Sequence, residues 1–412
     1  MRICIVYQGE FPPAERIEKV SKTLTSAGHE VFLLCNNYGG FGLSEELVGD
    51  VHTIRARPTF KNRKLNKILK LPVFLNPLWV WRIFQVATRF RIDALQVVDI
   101  PFAPAVWAVG RWLGIPVVMD MWENYPEFLK GLAALHWSFK IFKNPSLARA
   151  VELWVTPRMD HIFTVVDEQK ERLIQDGVRP ERVSVVTNAV DLEMFTKLPL
   201  RFDTLLDAEP DAYKLLYVGL LGVERGLEDI IRALAKLRDR IPSLRFYMVG
   251  SGIHEEPLRR LAEQEGVSDL VRFPGWVHFE EIQSYVVKSD LCTVPHVYNG
   301  FINTTIPNKL FQYMAMEKPV LVSHAKPLAR IVRECRCGFV FESGNPTDAA
   351  SRIEEAYALR NDPAMGQRGR RCVELKYTWE KASTDLLDTY KELQQLRDSG
   401  VKTRETVADL RR

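Results

Sequence analysis

A chain of 412 residues with 46% hydrophobic and 26% charged side chains is too long for one ordinary core and too apolar to be disordered; two domains of about 200 residues fit it. A net charge of +4 excludes a nucleic-acid binder built on bulk charge. The first residues, MRICIVYQGE, lack the charged region and long apolar run of a signal peptide, and no window holds 18 uninterrupted apolar residues, so a cytoplasmic protein without a spanning helix is expected.

Ile3 to Tyr7 reads as a buried strand. Loop Gln8–Pro13 follows, then a helix with Ile17, Val20 and Leu24 on one face, ended by Gly28. Val31–Leu34, Ala94–Val98, Pro116–Met119, Ile162–Val166 and Val183–Thr187 are further strand runs, each near a helical pattern. A second series begins after Asp211 with the strand Leu215–Val218, the loop Gly219–Gly226 and a helical stripe of Leu227, Ile230, Ile231, Leu234 and Leu237. Leu244–Val249, Leu291–Val294, Val320–Val322 and Phe339–Phe341 are its later strands. The pattern predicts α/β architecture: two Rossmann-like, doubly wound domains facing across a cleft. The expected boundaries are 1–195 for the first domain, 196–212 for a polar linker and 213–375 for the second domain. A C-terminal helix over 376–397 can belong to either half, packing back on the first domain being one option, and 398–412 is a polar tail.

The cysteines Cys4, Cys35, Cys292, Cys335, Cys337 and Cys372 are scattered, and only Cys335 and Cys337 lie close together. No Cys or His cluster completes a zinc site, so reduced thiols and no metal are expected.

Open parallel sheets bind ligands beyond the carboxyl ends of their strands, which directs attention to the loops there. Tyr298 to Ser323 reads as a polar loop, a short helix and a buried strand. Pro307 suits a first helical turn, Thr304 or Thr305 can cap it, and Leu310, Phe311, Met314 and Ala315 form an apolar face. Asn308, Lys309 and Gln312 fall on another face. A lysine in a first turn opposes the helix dipole, which is sensible where an anion binds and otherwise marks only a solvated side chain. In Gly219–Gly226, Gly222 permits close backbone approach and Arg225 can neutralise a phosphate. Gly250 and Gly252 follow a strand, but Glu255 stands where a third glycine would complete a dinucleotide fingerprint. Each turn alone reads more readily as a plain tight turn; together with the Pro307 helix they point to a nucleotide.

In the first half, Asp120-Met-Trp122-Glu123-Asn-Tyr125-Pro-Glu127 follows a strand, and Asp99 ends another. Carboxylates beside aromatics suit a sugar-binding wall, with Asp99, Asp120 or Glu123 as acid, base or hydroxyl acceptor, or as helix caps. His136 is a candidate base, but a lone histidine in an apolar run is more often packed. Lys61, Arg63, Lys64, Lys67 and Lys70 precede Phe74, Leu75, Trp79 and Trp81, and Gly131–Lys143 mixes Trp137 and Phe139 with Lys140. Such segments fit an anionic membrane surface or buried helices beside a basic loop. The basic residues do not continue as a stripe, which argues against nucleic acid.

Taken in order, Pro12–Val31 with Arg16, Asp99, Asp120–Pro126, Val186–Asp191 with Asn188, Val218–Glu228, Val249–Gly252, Phe273–Gly275 and Ile306–Ser323 resemble the bacterial retaining glycosyltransferases of family 4, which have the GT-B fold. The resemblance covers most of the chain. It implies transfer of a sugar from a nucleotide diphosphate sugar, UDP- or GDP-linked, to a hydroxyl acceptor, with no cofactor and generally no metal. It also implies a role in cell-surface polysaccharide or glycolipid assembly, a lipid-linked acceptor and a peripheral place on the inner membrane face. By position, Arg225 resembles the family's phosphate-binding residue, Gly250 and Gly252 the turn beside the nucleotide, and Lys309 and Gln312 the donor-site helix. Glu123 with Asp99 or Asp120 would orient the acceptor, beside Arg16, Trp122 and Asn188. Four positions depart from the family: Gln312 and Thr304 replace two glutamates, Leu220 a basic residue, and Trp122 a histidine. These departures keep a degenerate, nucleotide-sugar-binding or partner-binding protein open as a second reading, and a nucleotide-sugar epimerase as a third.

Overall fold

The computed structural model describes residues 1–12, 14–37, 44–56, 74–135, 144–192 and 203–399, with 195, 197, 199 and 200 between. Of helix 125–135 only the backbone is described beyond 131. His136, Trp137 and the basic run Lys61–Lys70 fall outside the described residues.

The chain forms two compact units, Met1–Thr187 with the chain from Ala382 onward, and Asn188–Lys381. In the first, eight strands make one sheet: β1 (Arg2–Val6), β2 (Glu30–Asn36), β3 (Glu45–Val48), β4 (Val51–Ala56), β5 (Ala94–Val98), β6 (Val117–Met121), β7 (His161–Thr164) and β8 (Val183–Val185). Their order is β3-β4-β2-β1-β5-β6-β7-β8, and only β3 runs antiparallel, to β4. β1, β5 and β6 are hydrophobic runs buried on both sides, as a helix-covered parallel sheet requires. β3 and β4 were not legible in the sequence, because β3 is a short edge strand with alternating exposure.

The second unit holds six parallel strands, β9 (Tyr213–Val218), β10 (Leu244–Val249), β11 (Val271–Gly275), β12 (Leu291–Val294), β13 (Val320–Ser323) and β14 (Gly338–Phe341). The order is β11-β10-β9-β12-β13-β14. The strand order reverses between β9 and β12, so the loops after these two strands flank the crevice where open sheets bind ligands.

Two expectations are corrected. Residues 203–212 do not behave as a free linker: Leu205–Ala208 makes a 3-10 turn, and Glu209 accepts hydrogen bonds from Arg245, Arg272 and Tyr247 at 3.0, 2.7 and 2.6 Å, all in the second unit. Cys335 and Cys372 are not thiols: a disulfide with Sγ–Sγ 2.04 Å ties helix Lys326–Cys335 to helix Ala364–Lys376. A separation of 37 residues hid that pair.

The expected final helix is divided. The short helix Trp379–Ala382 follows a backbone hydrogen bond from Trp379 to Val190 within the second unit, at 3.0 Å. Helix Thr384–Asp398 belongs to the first, where Tyr390 donates to Gln96 at 2.7 Å and Arg397 pairs with Asp93 at 2.7 Å.

Candidate functional site

The two glycine turns of the second unit are built against each other. Gly219 and Gly250 both have φ +136°, a conformation that L side chains rarely adopt. A Cβ on Gly250 would lie 2.0 Å from the Gly219 carbonyl oxygen, and one on Gly252 would lie 2.1 Å from that of Leu221. Gly219 N–H donates to Val249 and Leu221 N–H to Ser251, at 2.8 and 3.0 Å. The glycines thus serve backbone-on-backbone packing of the loops after β9 and β10. Gly222 is different: a Cβ there would meet only the flexible Glu224 carboxylate.

Three basic side chains converge beside these turns. Lys309, in helix Asn308–Ala315, holds its ammonium 3.8 Å from the Tyr217 ring centroid, a cation–π arrangement. Its Nζ lies against Gly219, where an added Cβ would come within 2.6 Å. Among the described residues no carboxylate pairs with Lys309. Burial, and then the Arg225 charge, hold its pKa well below the usual lysine value. Arg225, on the 3-10 turn Val223–Arg225, places Nη1 3.4 Å from His296 Nε2 and Nε 3.4 Å from the Glu224 carboxylate. His296 is buried, and desolvation followed by the charges of Arg225 and Lys309 pushes its pKa well below the usual histidine value. A neutral ring with a lone pair on Nε2 accepts from Arg225; this tautomer follows from the donor it faces. Among the described residues the cluster therefore carries two cations and one nearby carboxylate. That surplus of positive charge at a strand-switch crevice is suited to an anion with more than one charge.

The helix carrying Lys309 differs from expectation. Pro307, with ψ 139°, occupies the N-cap rather than the first turn. Thr304 does not cap it, since its hydroxyl donates to Gly300 and Phe301 carbonyls at 2.9 and 3.1 Å. Leu310, Phe311, Met314 and Ala315 are buried as expected, but so are Gln312 and Tyr313. Burying each large apolar side chain is worth about 1.5–3 kcal/mol, which fixes the short helix in place. Tyr313 reinforces this by accepting from Val218 N–H at 2.9 Å, at the end of β9. Asn188, expected on the acceptor side, lies in the second unit and donates to the Ile306 carbonyl at 2.9 Å, steadying the entry to this helix. Asn308 is half-buried beside Lys309. Tyr217, His296 and Tyr313 were missed by sequence reasoning. The only signal for His296 was its place just after β12, and the two tyrosines read as ordinary strand and helix residues.

In the first unit, the Asp120 charge is matched internally, while Asp99 stands beside a second carboxylate, Glu123. Arg16, from helix Glu15–Ser26, donates to both oxygens of Asp120, with Nη2–Oδ1 2.7 Å and Nε–Oδ2 3.0 Å, and also to the Val186 carbonyl at 2.9 Å. Trp122 Nε1 donates to Asp120 Oδ2 at 2.8 Å. Asp120 is thus fully engaged and orients Arg16 and Trp122. Asp99, left-handed at φ +56°, ends β5 and accepts from the N–H groups of Trp122 and Glu123 at 2.8 and 3.2 Å. Burial, and then the Glu123 charge, raise its pKa well above the usual carboxyl value. Burial first, and then Asp99 and Glu123, raise the Tyr7 phenol and push that of Tyr125 to about 12. Tyr7 and Trp122 rings stand 5.5 Å apart. The structure therefore gathers Asp99, Glu123, Tyr7, Trp122 and Tyr125 into one hydrogen-bonding, aromatic-walled cluster at the ends of β1, β5 and β6.

The aromatic run before Arg89 divides between core and surface. Trp79 is buried, stacked on Phe102 at 4.1 Å, whereas Trp81 is exposed.

Comparison with known proteins bears on the family and the fold. The model of glycosyltransferase family 4 matches residues 14–194, and that of glycosyl transferases group 1 matches residues 212–358. D-inositol 3-phosphate glycosyltransferase of Streptomyces bingchenggensis is 27% identical over 248 residues, 57% of this chain and 53% of that protein. The stretches matched to it and to two similar curated relatives span 53, 62 and 65% of those proteins' lengths. Sucrose-phosphate synthase from Thermosynechococcus elongatus superposes with TM-score 0.75 at 17% identity, covering 96% of this chain and 99% of its own. HepE of Anabaena in complex with UDP-glucose superposes with TM-score 0.70 at 15% identity, covering 95% and 100%. Both likenesses are of fold.

Proposed function

Because the chain belongs to the family 4 glycosyltransferases and has their GT-B fold, we propose that it transfers a sugar from a nucleotide diphosphate sugar to a hydroxyl acceptor, with retention. The observation that carries this reading is the pair Lys309 and Arg225, two converging cations with a single carboxylate among the described residues, Glu224, beside them. Donor diphosphate would complete the pairing, with Lys309, Arg225 and the N-terminal N–H groups of helix Asn308–Ala315 stabilising the charge that develops on the leaving phosphate. In the transfer, the bond between C1 and the β-phosphate oxygen breaks as the acceptor oxygen bonds to the same face of C1. The acceptor proton passes to the departing phosphate. Glu123, with Asp99, orients the acceptor hydroxyl, and Trp122 and Tyr7 wall it. Asp120 and Arg16 position Trp122. The uridine carrier is favoured because a protein of this fold is known in complex with UDP-glucose. The acceptor in this reading is lipid-linked and the product belongs to surface polysaccharide or glycolipid assembly.

A second reading, donor binding without turnover, is favoured by one observation: Gln312 is a neutral amide, and Thr304 directs its hydroxyl to its own turn. Incubating purified protein with UDP-sugars and following UDP release separates the two. Release, even slow and to water, supports the transferase; saturable UDP binding with no release from any donor supports the binder.

A further inference from the structure

Among the described residues the Arg225 side chain has one hydrogen-bond partner, and that partner is uncharged: Nη1 donates to His296 Nε2 at 3.4 Å. Its Nε stands 3.4 Å from Glu224 without hydrogen-bond geometry, and the Glu224 side chain is 38% exposed, so water screens that pair. His296 is committed in the same way. Its ring is 1% exposed, and Nδ1 has no hydrogen-bond partner among the described residues. A buried ring nitrogen left unpaired costs stability that an apolar side chain would not cost, so the bond to Arg225 is what an imidazole contributes here. The backbone fixes the pair. Val297 N–H donates to the Glu224 carbonyl at 3.1 Å, which stitches the segment after β12 to the turn carrying Arg225. Gly226, at φ +63°, would set a Cβ 2.1 Å from the Pro295 carbonyl oxygen, so there too the segments meet backbone to backbone. These two contacts flank the Arg225–His296 pair on both sides in sequence.

This choice of anchor has an electrostatic consequence. A carboxylate grips a guanidinium in a bidentate fork and cancels its charge. A neutral imidazole accepts one hydrogen bond and cancels nothing. Burial and the charges of Arg225 and Lys309 keep the ring neutral. Lys309 is likewise steadied by an uncharged group, the Tyr217 ring. We propose that His296 is a positioning residue that holds Arg225 beside Lys309 without neutralising it, and that the charge thus spared sets a preference for a diphosphate over a monophosphate. In naming a diphosphate the inference rests on the function proposed above; the hold on Arg225 does not.

The test is calorimetric titration of UDP, UMP and inorganic pyrophosphate into the full chain and into His296→Leu, His296→Gln and His296→Glu, with thermal melting to verify folding. The leucine removes the acceptor. The glutamine returns a neutral one, its carbonyl oxygen near the place of Nε2. The glutamate returns an acceptor that carries charge. The expected result is a loss of roughly tenfold or more in UDP affinity for His296→Leu, recovered in large part by His296→Gln. His296→Glu should lower UDP affinity and narrow the ratio of UDP to UMP affinity by roughly tenfold, because one cation is cancelled. A packing role alone would not rank the variants in this order. Wild-type UDP affinity in His296→Leu, equal losses in His296→Leu and His296→Gln, or a wild-type UDP-to-UMP ratio in His296→Glu would each overturn the proposal. Should His296→Leu fail to fold, the contrast between His296→Gln and His296→Glu decides it. Pyrophosphate separates this inference from the function proposed above. If the wild type binds pyrophosphate but not UDP, the same ranking on pyrophosphate supports the hold on Arg225 while the nucleotide-sugar reading falls; binding of neither overturns both.

Discussion

The two units treat buried charge in opposite ways. In the first, Asp120 is bound on both oxygens by Arg16 and Trp122, and Asp99 is held by two N–H groups. In the second, Lys309 has an aromatic ring beside it but, among the described residues, no carboxylate. Arg225 leans on a neutral histidine, His296, and on Glu224 in its own turn. A buried charge that already has its partner inside the fold is committed to that partner and costs stability when the partner is removed, whereas charge left over at a crevice is available to a ligand.

The largest effect should come from removing the surplus. Arg225→Ala combined with Lys309→Ala should lower donor binding and turnover by roughly 10³-fold or more, since a single preorganised donor is worth about 10²–10³-fold; UDP release by the variant at the wild-type rate would show that the cations serve another purpose. The matched pair should respond as structure instead. Arg16→Ala leaves the Asp120 charge buried and is expected to cost about 3–5 kcal/mol, read as an earlier midpoint in urea unfolding. Gly250→Ala sets a Cβ against the Gly219 carbonyl at a positive φ. A cost of about 1–3 kcal/mol is expected, with weaker donor binding because the two turns must separate.

The pH response sharpens the contrast further. Burial and Arg225 depress the pKa of Lys309 in the free protein, and a bound diphosphate would raise it again. Between the two values, binding takes up a proton, and affinity falls as pH rises from the free value toward the bound one. Calorimetry of UDP binding in buffers of different ionisation enthalpy measures that uptake; a heat independent of buffer would argue that Lys309 does not meet the phosphates.

Much of the fold was legible because buried parallel strands are hydrophobic runs with glycine-bearing loops after them: β1, β5, β9, β10 and β13 could be read almost to the residue. β3, β4 and β11 could not: β3 and β11 are edge strands that bury little, and β4, though paired on both sides, alternates buried and more exposed residues. At the site, Arg225 and Lys309 stood out as cations in phosphate-binding contexts. His296 and Tyr217 did not, since their roles depend on which strand ends lie side by side, which no local pattern encodes. Asp120 and Asn188 looked chemical in sequence. Each is committed to a structural partner, Arg16 and the Ile306 carbonyl, that lies 104 and 118 residues away in the chain.

The most direct test is calorimetric titration of UDP into the wild-type chain and into Arg225→Ala/Lys309→Ala, without added metal. Saturable binding by the wild type that disappears in the double variant is the expected result. Equal binding by both proteins, or no nucleotide binding by the wild type, would contradict a diphosphate site on these two cations.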